Sequence, residues 1–463
     1  MGSRADRRDA PMLIHRILRG GAFAGVALAA LCLGACGRLP DVAALVAAAS
    51  TSGRMPTVID ASGAVSDERQ RAVLRELLSA GPAPGMLAQQ LPVAAAISPA
   101  PLVLGNRVTL LADGHAIERA IRDAVSGARD HIDIETYILA DDAVGREFAD
   151  LLIRKRAEHV AVNLIYDGLA SRGTSNAFFE RLRNAGVHLL EFNPIDPFGT
   201  RVKWSPNARD HRKVFIADGA VAIIGGANVE LPREVEGETW RDTDIRVEGP
   251  AVAQFQALFM QTWNEQGGDP LVDADYFPPL HDAGDEAVRV LASTATSPIY
   301  STLVSAIGAS RSDVELTTSY FAPDAQLLAA IEAAARRGVH VKMMLPSRSN
   351  FPPAYFAGRF HYQALLDAGV EIYEREHAWL HAKTAVIDGV WSTIGTTNLD
   401  RRSFLFNREV NAVVLGAAFA GQMEALFARD VSHSHRIVGG EWQRRSVAER
   451  LLEWIANVFS YWW

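Results

Sequence analysis

One polar signature occurs twice in this sequence, and its repetition constrains the fold more than any other feature. Each copy combines a histidine, a lysine, an aspartate, a glycine and an asparagine, with identical spacing in the two copies. The members are His211, Lys213, Asp218, Gly225 and Asn228 in the first copy, and His381, Lys383, Asp388, Gly395 and Asn398 in the second. A single copy is compatible with a histidine and a lysine on the solvated face of an edge strand. Two copies argue against that interpretation and predict two homologous halves.

The rest of the chain repeats in the same order. Apolar stretches with helical periodicity alternate with short β-rich runs, which is typical of an α/β fold with a central sheet flanked by helices. Corresponding runs lie at 108–112 and 289–292, at 116–128 and 301–309, and at 160–166 and 339–345. We therefore predict a first half over residues 105–283 and a second half over residues 284–440. Within each half, the motif from histidine to aspartate looks like one strand, with the histidine and the lysine on the same face.

The first 36 residues look like a targeting segment rather than part of the fold. Five arginines precede an apolar run at residues 21–35 that is short for a membrane-spanning helix. The run ends in the sequence LGAC, which resembles the lipobox of bacterial lipoproteins, where the cysteine, here Cys36, becomes the lipidated first residue. An uncleaved anchor is the second interpretation and a soluble cytoplasmic protein the third. The first two predict a membrane-associated protein of the cell envelope with a periplasmic folded part.

Two segments flank the repeated halves. Residues 37–104 are rich in alanine, proline and serine and predict a tether with one short helix, opened by Ser66. Residues 441–463 predict an amphipathic tail whose apolar side chains recur at helical spacing. These apolar residues are Leu451, Trp454, Ile455, Val458, Phe459 and Trp462. The apolar stripe either lies in a lipid interface or docks on the protein's own core.

Composition excludes some classes of site and partner. The chain has 54 acidic and 46 basic residues, so it lacks the broad positive field that attracts nucleic acid, and we expect no nucleic acid partner. Its two cysteines both lie in the N-terminal segment, which leaves the folded part without thiols for a disulfide or a cysteine metal site.

The doubled HxKxxxxD motif, with a GxxN segment after each copy, resembles the phospholipase D superfamily. The resemblance covers about residues 108–437, and the doubled motif is highly specific. It implies an active site where the halves face each other across a pseudo-twofold axis, so that His211 and His381 meet in one pocket and neither half works alone. It also implies orienting carboxylates about thirty residues past the histidines, at Asp242 and Glu409. The alternative for each carboxylate is a surface ion pair with the arginine before it.

The residue types suit phosphodiester transfer without a metal or another cofactor. Imidazole has a pKa near ambient pH, so one histidine can attack phosphorus and form a phosphohistidine. The other histidine can protonate the departing hydroxyl and later deprotonate the incoming one. By the match to the first motif we favour His211 as nucleophile and His381 as acid and base.

The other motif residues have supporting roles. The phosphate oxygens can be bound by Lys213, Lys383, Asn228 and Asn398. Asp218 and Asp388 are expected to hold a loop instead of touching substrate. In the superfamily pattern a hydroxyl residue, most commonly serine, follows the motif glycine. Two positions depart from this pattern, which are Gly226 in the first half and Thr396 in the second. A hydroxyl contact to phosphate is therefore possible in the second half only.

Further stretches resemble the bacterial cardiolipin synthases. Among them are YDG at 166–168, TTSYFAPD at 317–324 and NLDRRS at 398–403. This resemblance implies transfer of a phosphatidyl group from one phosphatidylglycerol to the hydroxyl of another at a membrane surface. The alternatives are a phospholipase D that uses water and produces phosphatidic acid, and a lipid-binding tether without activity. The oligomeric state stays open.

Overall fold

The computed structural model describes residues 37–79, 84–195, 205, 207–230 and 240–462. Residues Pro40–Trp463 form one compact unit. The predicted targeting segment, including Cys36, lies outside the described residues. Among the described residues we find no helix with the length and apolarity needed to cross a bilayer.

The segment predicted as a tether folds against the second half. It contains α1 (Val42–Ser52), β1 (Val58–Asp60), β2 (Gly63–Ala64), α2 (Asp67–Ser79) and α3 (Pro84–Ile97). Helix α2 follows Ser66 as predicted, and the Ser66 hydroxyl accepts a hydrogen bond from the N–H of Arg69 at 3.3 Å. The Arg289 guanidinium donates to the carbonyls of Ala94 and Ser98, at 2.7 Å each. These buried bonds fix the segment to the second half. The prediction of a tether with one short helix therefore differs from the structure.

The elements of the two halves follow one another in the same order. The first half contains β3 (Leu102–Leu111), α4 (Gly114–Gly127), β4 (His131–Thr136), α5 (Ala143–Ala157), β5 (Ala161–Asp167), α6 (Asn176–Asn184), β6 (His188–Phe192), β7 (Arg209–Asp210), β8 (Val214–Ala217), β9 (Val221–Ile224), β10 (Asp244–Glu248) and α7 (Val252–Glu265). The second half contains β11 (Glu286–Ala292), α8 (Pro298–Ala309), β12 (Asp313–Thr317), β13 (Phe321–Ala322), α9 (Ala325–Arg336), β14 (His340–Pro346), α10 (Pro352–Phe360), α11 (Tyr362–Ala368), β15 (Glu371–Arg375), β16 (Thr384–Ile387), β17 (Trp391–Gly395), β18 (Leu399–Asp400), α12 (Arg401–Leu405), β19 (Asn407–Arg408), β20 (Val410–Leu415) and α13 (Ala417–Val431). The chain continues with β21 (Ser434–Arg436), α14 (Gly439–Trp442), α15 (Val447–Val458) and a short 3₁₀ turn at Ser460–Trp462.

The strand order is the same in both halves. It is β3-β10-β9-β8-β4-β5-β6 in the first half and β11-β20-β17-β16-β12-β14-β15 in the second. Three strands at one end of each half run parallel, and the others pair antiparallel. The halves join through the antiparallel pair β3 and β11. The predicted α/β fold with a central sheet, flanking helices and two homologous halves is confirmed.

The hydrophobic core explains why the halves do not separate. Phe255 and Phe259 of α7 pack in one cluster with Phe419 and Met423 of α13 and with strands of both halves. Burying aromatic side chains contributes roughly 2–3 kcal/mol each, and here that burial needs both halves at once. Almost every residue of helix α8 is buried, because the sheet covers one side of the helix and α3 covers another.

The motif strands begin later than predicted. In each half the regular strand starts one residue after the motif lysine, at Val214 in β8 and at Thr384 in β16. The residues from the histidine to the lysine, 211–213 and 381–383, have no regular secondary structure. The prediction of one continuous strand from histidine to aspartate is therefore wrong at its first three residues and at the aspartate, which lies in the turn after the strand. The backbone groups of the first three residues are thereby available to the other half of the molecule.

The C-terminal tail forms the predicted helix, but its apolar stripe faces outward. Helix α15 packs on α10 through a side that includes the buried residues Glu453 and Ala456. Its large apolar residues, including Leu451 and Trp454, are exposed. Docking of that stripe on the protein's own core, one of the two interpretations of the sequence, is not what the structure has.

Candidate active site

The two motif histidines are tied by their backbone to opposite halves. Strands β7 and β19 pair in parallel, which allows the His211 N–H to donate to the Arg408 carbonyl at 2.9 Å. In the matching place, the His381 N–H donates to the Arg241 carbonyl at 2.8 Å. Each histidine of one half is therefore anchored beside the residue that precedes the orienting carboxylate of the other half.

The side chains repeat this crossed arrangement. Nδ1 of His211 lies 2.9 Å from Oε2 of Glu409, and Nδ1 of His381 lies 2.8 Å from Oδ2 of Asp242. All four side chains are buried or nearly so, unlike the surface ion pairs with Arg241 and Arg408 that were the alternative. A carboxylate at Nδ1 holds the proton there and leaves Nε2 with a free lone pair. The structure thus brings together residues that are 198 and 139 positions apart in the chain.

The motif lysines are buried next to the histidines. Nζ of Lys213 donates to the His211 carbonyl at 2.7 Å and lies 5.1 Å from the ring centroid of Tyr137. Nζ of Lys383 donates to the Ser319 hydroxyl at 2.9 Å and also contacts the His381 carbonyl. Burial lowers the pKa of Lys213 to about 7 and that of Lys383 to about 8. Two buried ammonium groups without a full set of partners form a site that favours an anion.

Burial and the lysines also keep both histidines neutral. The pKa of His381 is lowered to about 3, first by burial and then by the positive charge of Lys383. The pKa of His211 is lowered well below its usual value, by burial and then by Lys213 and Lys383. Neutral imidazole is the nucleophilic form, and a bound phosphodiester anion would oppose the lysine charges and raise both histidine pKa values.

The two motif asparagines have different neighbours. Oδ1 of Asn398 accepts a hydrogen bond from the Ser319 hydroxyl at 2.7 Å, which links it to Lys383. Nδ2 of Asn228 donates to Glu230 at 3.0 Å. Asn398 is therefore part of the lysine network, whereas Asn228 lies at its edge.

The two orienting carboxylates differ in charge state. Burial raises the pKa of Glu409 to about 7, although Lys213 and the hydroxyl of Thr396 act against it. Thr396 donates its hydroxyl hydrogen to Oε2 of Glu409, the same oxygen that accepts from His211. Burial also raises the pKa of Asp242, but His381 and Lys383 outweigh it and hold the pKa below its usual value. Asp242 is the more strongly ionised of the two at neutral pH.

The departure at Gly226 has a steric cause. A Cβ atom at this position would lie 2.3 Å from the carboxylate oxygens of Asp242. The hydroxyl that Thr396 supplies in the second half cannot be supplied in the first, because the carboxylate itself occupies that space. Behind it, Asp244 accepts a hydrogen bond from the Gly226 N–H at 2.8 Å, and its pKa is raised by burial to about 8.

The motif aspartates lie away from this site and hold loops. Asp218 accepts from the backbone N–H groups of residues 129–131, and Asp388 accepts from those of residues 311–313, at 2.8–3.1 Å. Both have positive φ, 52° and 53°, at the turn after the motif strand. Each carboxylate thereby fixes the loop that leads into the neighbouring strand, β4 or β12.

We expect the Asp388→Ala variant to lose about 3 kcal/mol of unfolding free energy, because three backbone N–H groups lose a buried, charged acceptor. The midpoint of urea denaturation would measure the loss. Asp285→Ala is the control, since Asp285 is exposed. A variant with unchanged stability but lost activity would contradict the structural role of Asp388.

Sequence reasoning gave no role to three residues that contact the site. The Tyr137 ring lies edge-on to His211 with centroids 4.9 Å apart, and the Trp240 ring lies 4.6 Å from His381. Ser319 bridges Lys383 and Asn398. The sequence contained a signal for each of these residues. Trp240 directly precedes Arg241-Asp242. Tyr137 and Tyr320 occupy matching positions of the two halves, and Ser319 directly precedes Tyr320.

An apolar cavity adjoins the site in the first half. Its volume is about 140 Å³, and it lies between α4, α5 and β8. Asn228 and Asp242 line it on the side of the active site, and Ile117, Ile121 and Phe148 are among the apolar lining residues. Within the described residues, we find no cluster of three or more histidine, cysteine, aspartate or glutamate side chains arranged for a metal ion.

Comparison with known proteins identifies the family. A family model described as "Cardiolipin synthase, PLD-like domain" matches residues 121–263 and 303–431, one match around each motif. The chain belongs to this cardiolipin synthase family of phospholipase D-like proteins. The predicted resemblance is thereby confirmed.

Individual members of the cardiolipin synthase family align over most of the chain. The "Cardiolipin synthase" of Alkalihalophilus pseudofirmus is 32% identical over 369 residues, which are 78% of this chain and 73% of that protein. "Cardiolipin synthase 1" of Bacillus anthracis is 33% identical over 365 residues, which are 76% and 71% of the two chains. Among solved structures, a phosphatidylserine synthase of Haemophilus influenzae has a TM-score of 0.61 at 13% identity, covering 86% of this chain and all of that one. The last similarity concerns the fold alone.

Proposed function

We propose that this protein is a phosphatidyltransferase that makes cardiolipin from two phosphatidylglycerol molecules, through a phosphohistidine, and releases glycerol. The relatives named cardiolipin synthase support the reaction. The observation that carries the chemistry is the crossed pairing of two neutral histidines with carboxylates of opposite halves, beside two buried lysines. The apolar cavity next to Asn228 suits a lipid chain better than a polynucleotide.

In the first step, Nε2 of His211 attacks phosphorus and the P–O bond to glycerol breaks. Glu409 at Nδ1 stabilises the positive charge that develops on the imidazole. The glycerol oxygen takes its proton from Nε2 of His381, which must enter this step as imidazolium, a form that the bound phosphodiester anion and Asp242 stabilise. Lys213 and Lys383, both buried, bind the non-bridging oxygens and offset their negative charge.

In the second step, the hydroxyl of another phosphatidylglycerol attacks the phosphohistidine. Its proton goes to Nε2 of His381, the P–N bond breaks, and His211 returns to its neutral form. The two histidines are therefore back in their initial states after one turnover, and no other reactant is needed.

The two carboxylates support this division of roles. An acid must hold a proton before reaction, and the well-ionised Asp242 stabilises imidazolium at His381 once the substrate anion is bound. A nucleophile must stay neutral. Glu409 has a pKa of about 7, so it carries less negative charge at neutral pH and favours protonation of His211 less strongly. This difference supports His211 as the nucleophile and His381 as the acid and base.

Removing the Thr396 hydroxyl is expected to shift the pH dependence of activity. The hydroxyl lowers the pKa of Glu409, so in Thr396→Ala that pKa rises and Glu409 is protonated over a wider pH range. The acidic limb of kcat/KM should move to higher pH, while Thr396→Ser should keep the limb of the natural protein. A limb that stays in place in Thr396→Ala would show that Glu409 does not set it.

The product decides between this proposal and its alternatives. The purified protein is incubated without added metal with phosphatidylglycerol vesicles, and the lipids are identified by mass. Cardiolipin with an equal amount of glycerol is expected. Phosphatidic acid alone would favour the hydrolase, and lipid binding without turnover would favour the tether.

We place this reaction at a membrane surface in the bacterial cell envelope, with the folded part in the periplasm and Cys36 as the lipidated residue. The support is the sequence of residues 1–36. The mass of the mature N-terminal peptide tests it, since lipidation at Cys36 predicts a diacylglyceryl cysteine there, whereas an uncleaved chain would retain Met1.

A further inference from the structure

Helix α15 is amphipathic, and the structure turns its charged side toward the protein. Glu453, in the middle of the helix, is 1% exposed. Its carboxylate lies 2.9 Å from the Arg445 guanidinium and 3.6 Å from that of Arg359 in α10. A surface helix usually has the opposite orientation, with its charges in solvent and its apolar stripe on the core.

A buried network fixes this orientation. The Arg359 and Arg445 guanidinium groups lie over the ring of Trp442, 4.5 Å and 4.3 Å from its centroid. Arg359 also donates to Glu374 at 2.8 Å. Rotating α15 to bury its apolar stripe would separate Glu453 from both arginines, so that two largely buried guanidinium groups would each lose a carboxylate partner. The outward position of the apolar stripe is therefore a consequence of the fold.

The outer face of α15 is a continuous apolar surface. Its seven large apolar residues are between 41% and 81% exposed, and they are Val447, Leu451, Leu452, Trp454, Ile455, Val458 and Phe459. The exposed residues Arg444 and Arg450 lie beside this face. The helix has 12 residues and is thus about 18 Å long, against about 30 Å for the hydrocarbon core of a bilayer. Its length and composition fit a helix that lies in the lipid interface without crossing it.

Two further exposed apolar residues lie at the ends of α10, the helix on which α15 packs. Phe360 and Phe351, at the two ends of α10, are 38% and 39% exposed. The Phe351 ring contacts that of Tyr320, with centroids 6.4 Å apart. Tyr320 lines a cleft together with His381. The N-terminal end of α10, the helix on which α15 packs, therefore lies beside the cleft that His381 lines.

We propose that the outer face of α15 inserts into the interface of an anionic phospholipid bilayer and holds the His381 cleft against the lipid. Arg444 and Arg450 complement the headgroup charge. A second copy of the chain is the alternative occupant of this face. The proposal rests on the proposed function for the identity of the substrate, but its binding step does not require turnover.

The test uses the full chain and measures insertion separately from activity. Vesicles contain phosphatidylglycerol and phosphatidylethanolamine, with or without brominated acyl chains, which quench tryptophan that enters the lipid. The loss of emission is compared between the natural protein and Trp454→Phe. We expect a quenched component in the natural protein that Trp454→Phe lacks. Equal quenching in the two proteins would overturn the proposal.

A triple variant tests the consequence for catalysis. Leu451→Gln, Ile455→Gln and Val458→Gln remove apolar surface and retain a good helix former. On vesicles, kcat/KM should fall by about tenfold or more, whereas kcat/KM on dihexanoyl phosphatidylglycerol dissolved as monomers should stay unchanged. Val272→Gln with Phe277→Gln is the matched control, because both residues are exposed outside this face.

The outcomes separate this proposal from the proposed function. Unchanged activity of the triple variant on vesicles would overturn insertion of α15. If the oligomeric state of the variant also changed, the face would be assigned to a second copy of the chain. Quenching of Trp454 without any cardiolipin formation would overturn the proposed function and support the insertion.

Discussion

The His211→Ala variant is expected to lose lipid transfer by roughly 10⁴-fold and to lose covalent labelling of the enzyme completely, because the nucleophile is absent. The His381→Ala variant should lose transfer to a similar extent but keep the labelling step when the substrate does not need an acid. Phosphatidyl p-nitrophenol is such a substrate, since nitrophenolate leaves without protonation. With it, His381→Ala should accumulate phosphatidylated His211, because no base activates the acceptor for the second step.

Peptide mapping of the labelled, acid-sensitive residue measures this difference directly. His340→Ala is the control, since His340 is exposed at the start of β14. Labelling of His381 in the His211→Ala variant would contradict the assignment and reverse the two roles. Loss of labelling in both variants, with nitrophenol release also lost, would mean that the histidines act only as a pair.

Glu409→Gln and Asp242→Asn are expected to reduce kcat by roughly 10³-fold, because an amide at Nδ1 no longer fixes the productive tautomer or stabilises imidazolium. The crossed pairing predicts which step each variant affects. Glu409→Gln, in the second half, should slow labelling of His211 in the first. Asp242→Asn, in the first half, should spare labelling by phosphatidyl p-nitrophenol and slow the second step, which depends on His381 in the second half.

Rapid-mixing measurements of nitrophenol release separate the two steps, since a fast burst reports labelling and the slow phase reports turnover. Asp244→Asn is a suitable control. Its pKa of about 8 makes Asp244 neutral at pH 7, and the matching residue in the second half is already Asn411. Glu409→Gln with an intact burst would show that each carboxylate serves the histidine of its own half.

The sequence predicted the α/β class and the two halves because both depend on patterns that repeat along the chain. The same repeat identified the histidines, lysines and asparagines, since a doubled spacing is visible without any structure. It did not reveal that Glu409 serves His211 and Asp242 serves His381. Spacing gives distances along the chain, whereas the crossed pairing arises from the approach of β7 to β19 and from the parallel bridge between Arg241 and Leu380.

Other errors also have physical causes. Residues 37–104 looked like a tether because alanine and proline are common there, yet the small side chains of α3 pack closely on the apolar helix α8. The motif strand was predicted too long, because alternation of histidine and lysine cannot show that their backbone bonds go to another segment. Gly226 seemed only a departure from the pattern, and its reason appears once the Asp242 carboxylate is placed beside it.

The crossed pairing also determines when the chain becomes chemically active during its synthesis. His211 is made long before Glu409, its partner 198 positions later. Until that residue has emerged and the second half has folded onto the first, the imidazole has neither its carboxylate nor the Arg408 carbonyl that fixes its backbone. A nascent or truncated chain that lacks the second half therefore carries a His211 without its orienting carboxylate, and we expect it to be inactive.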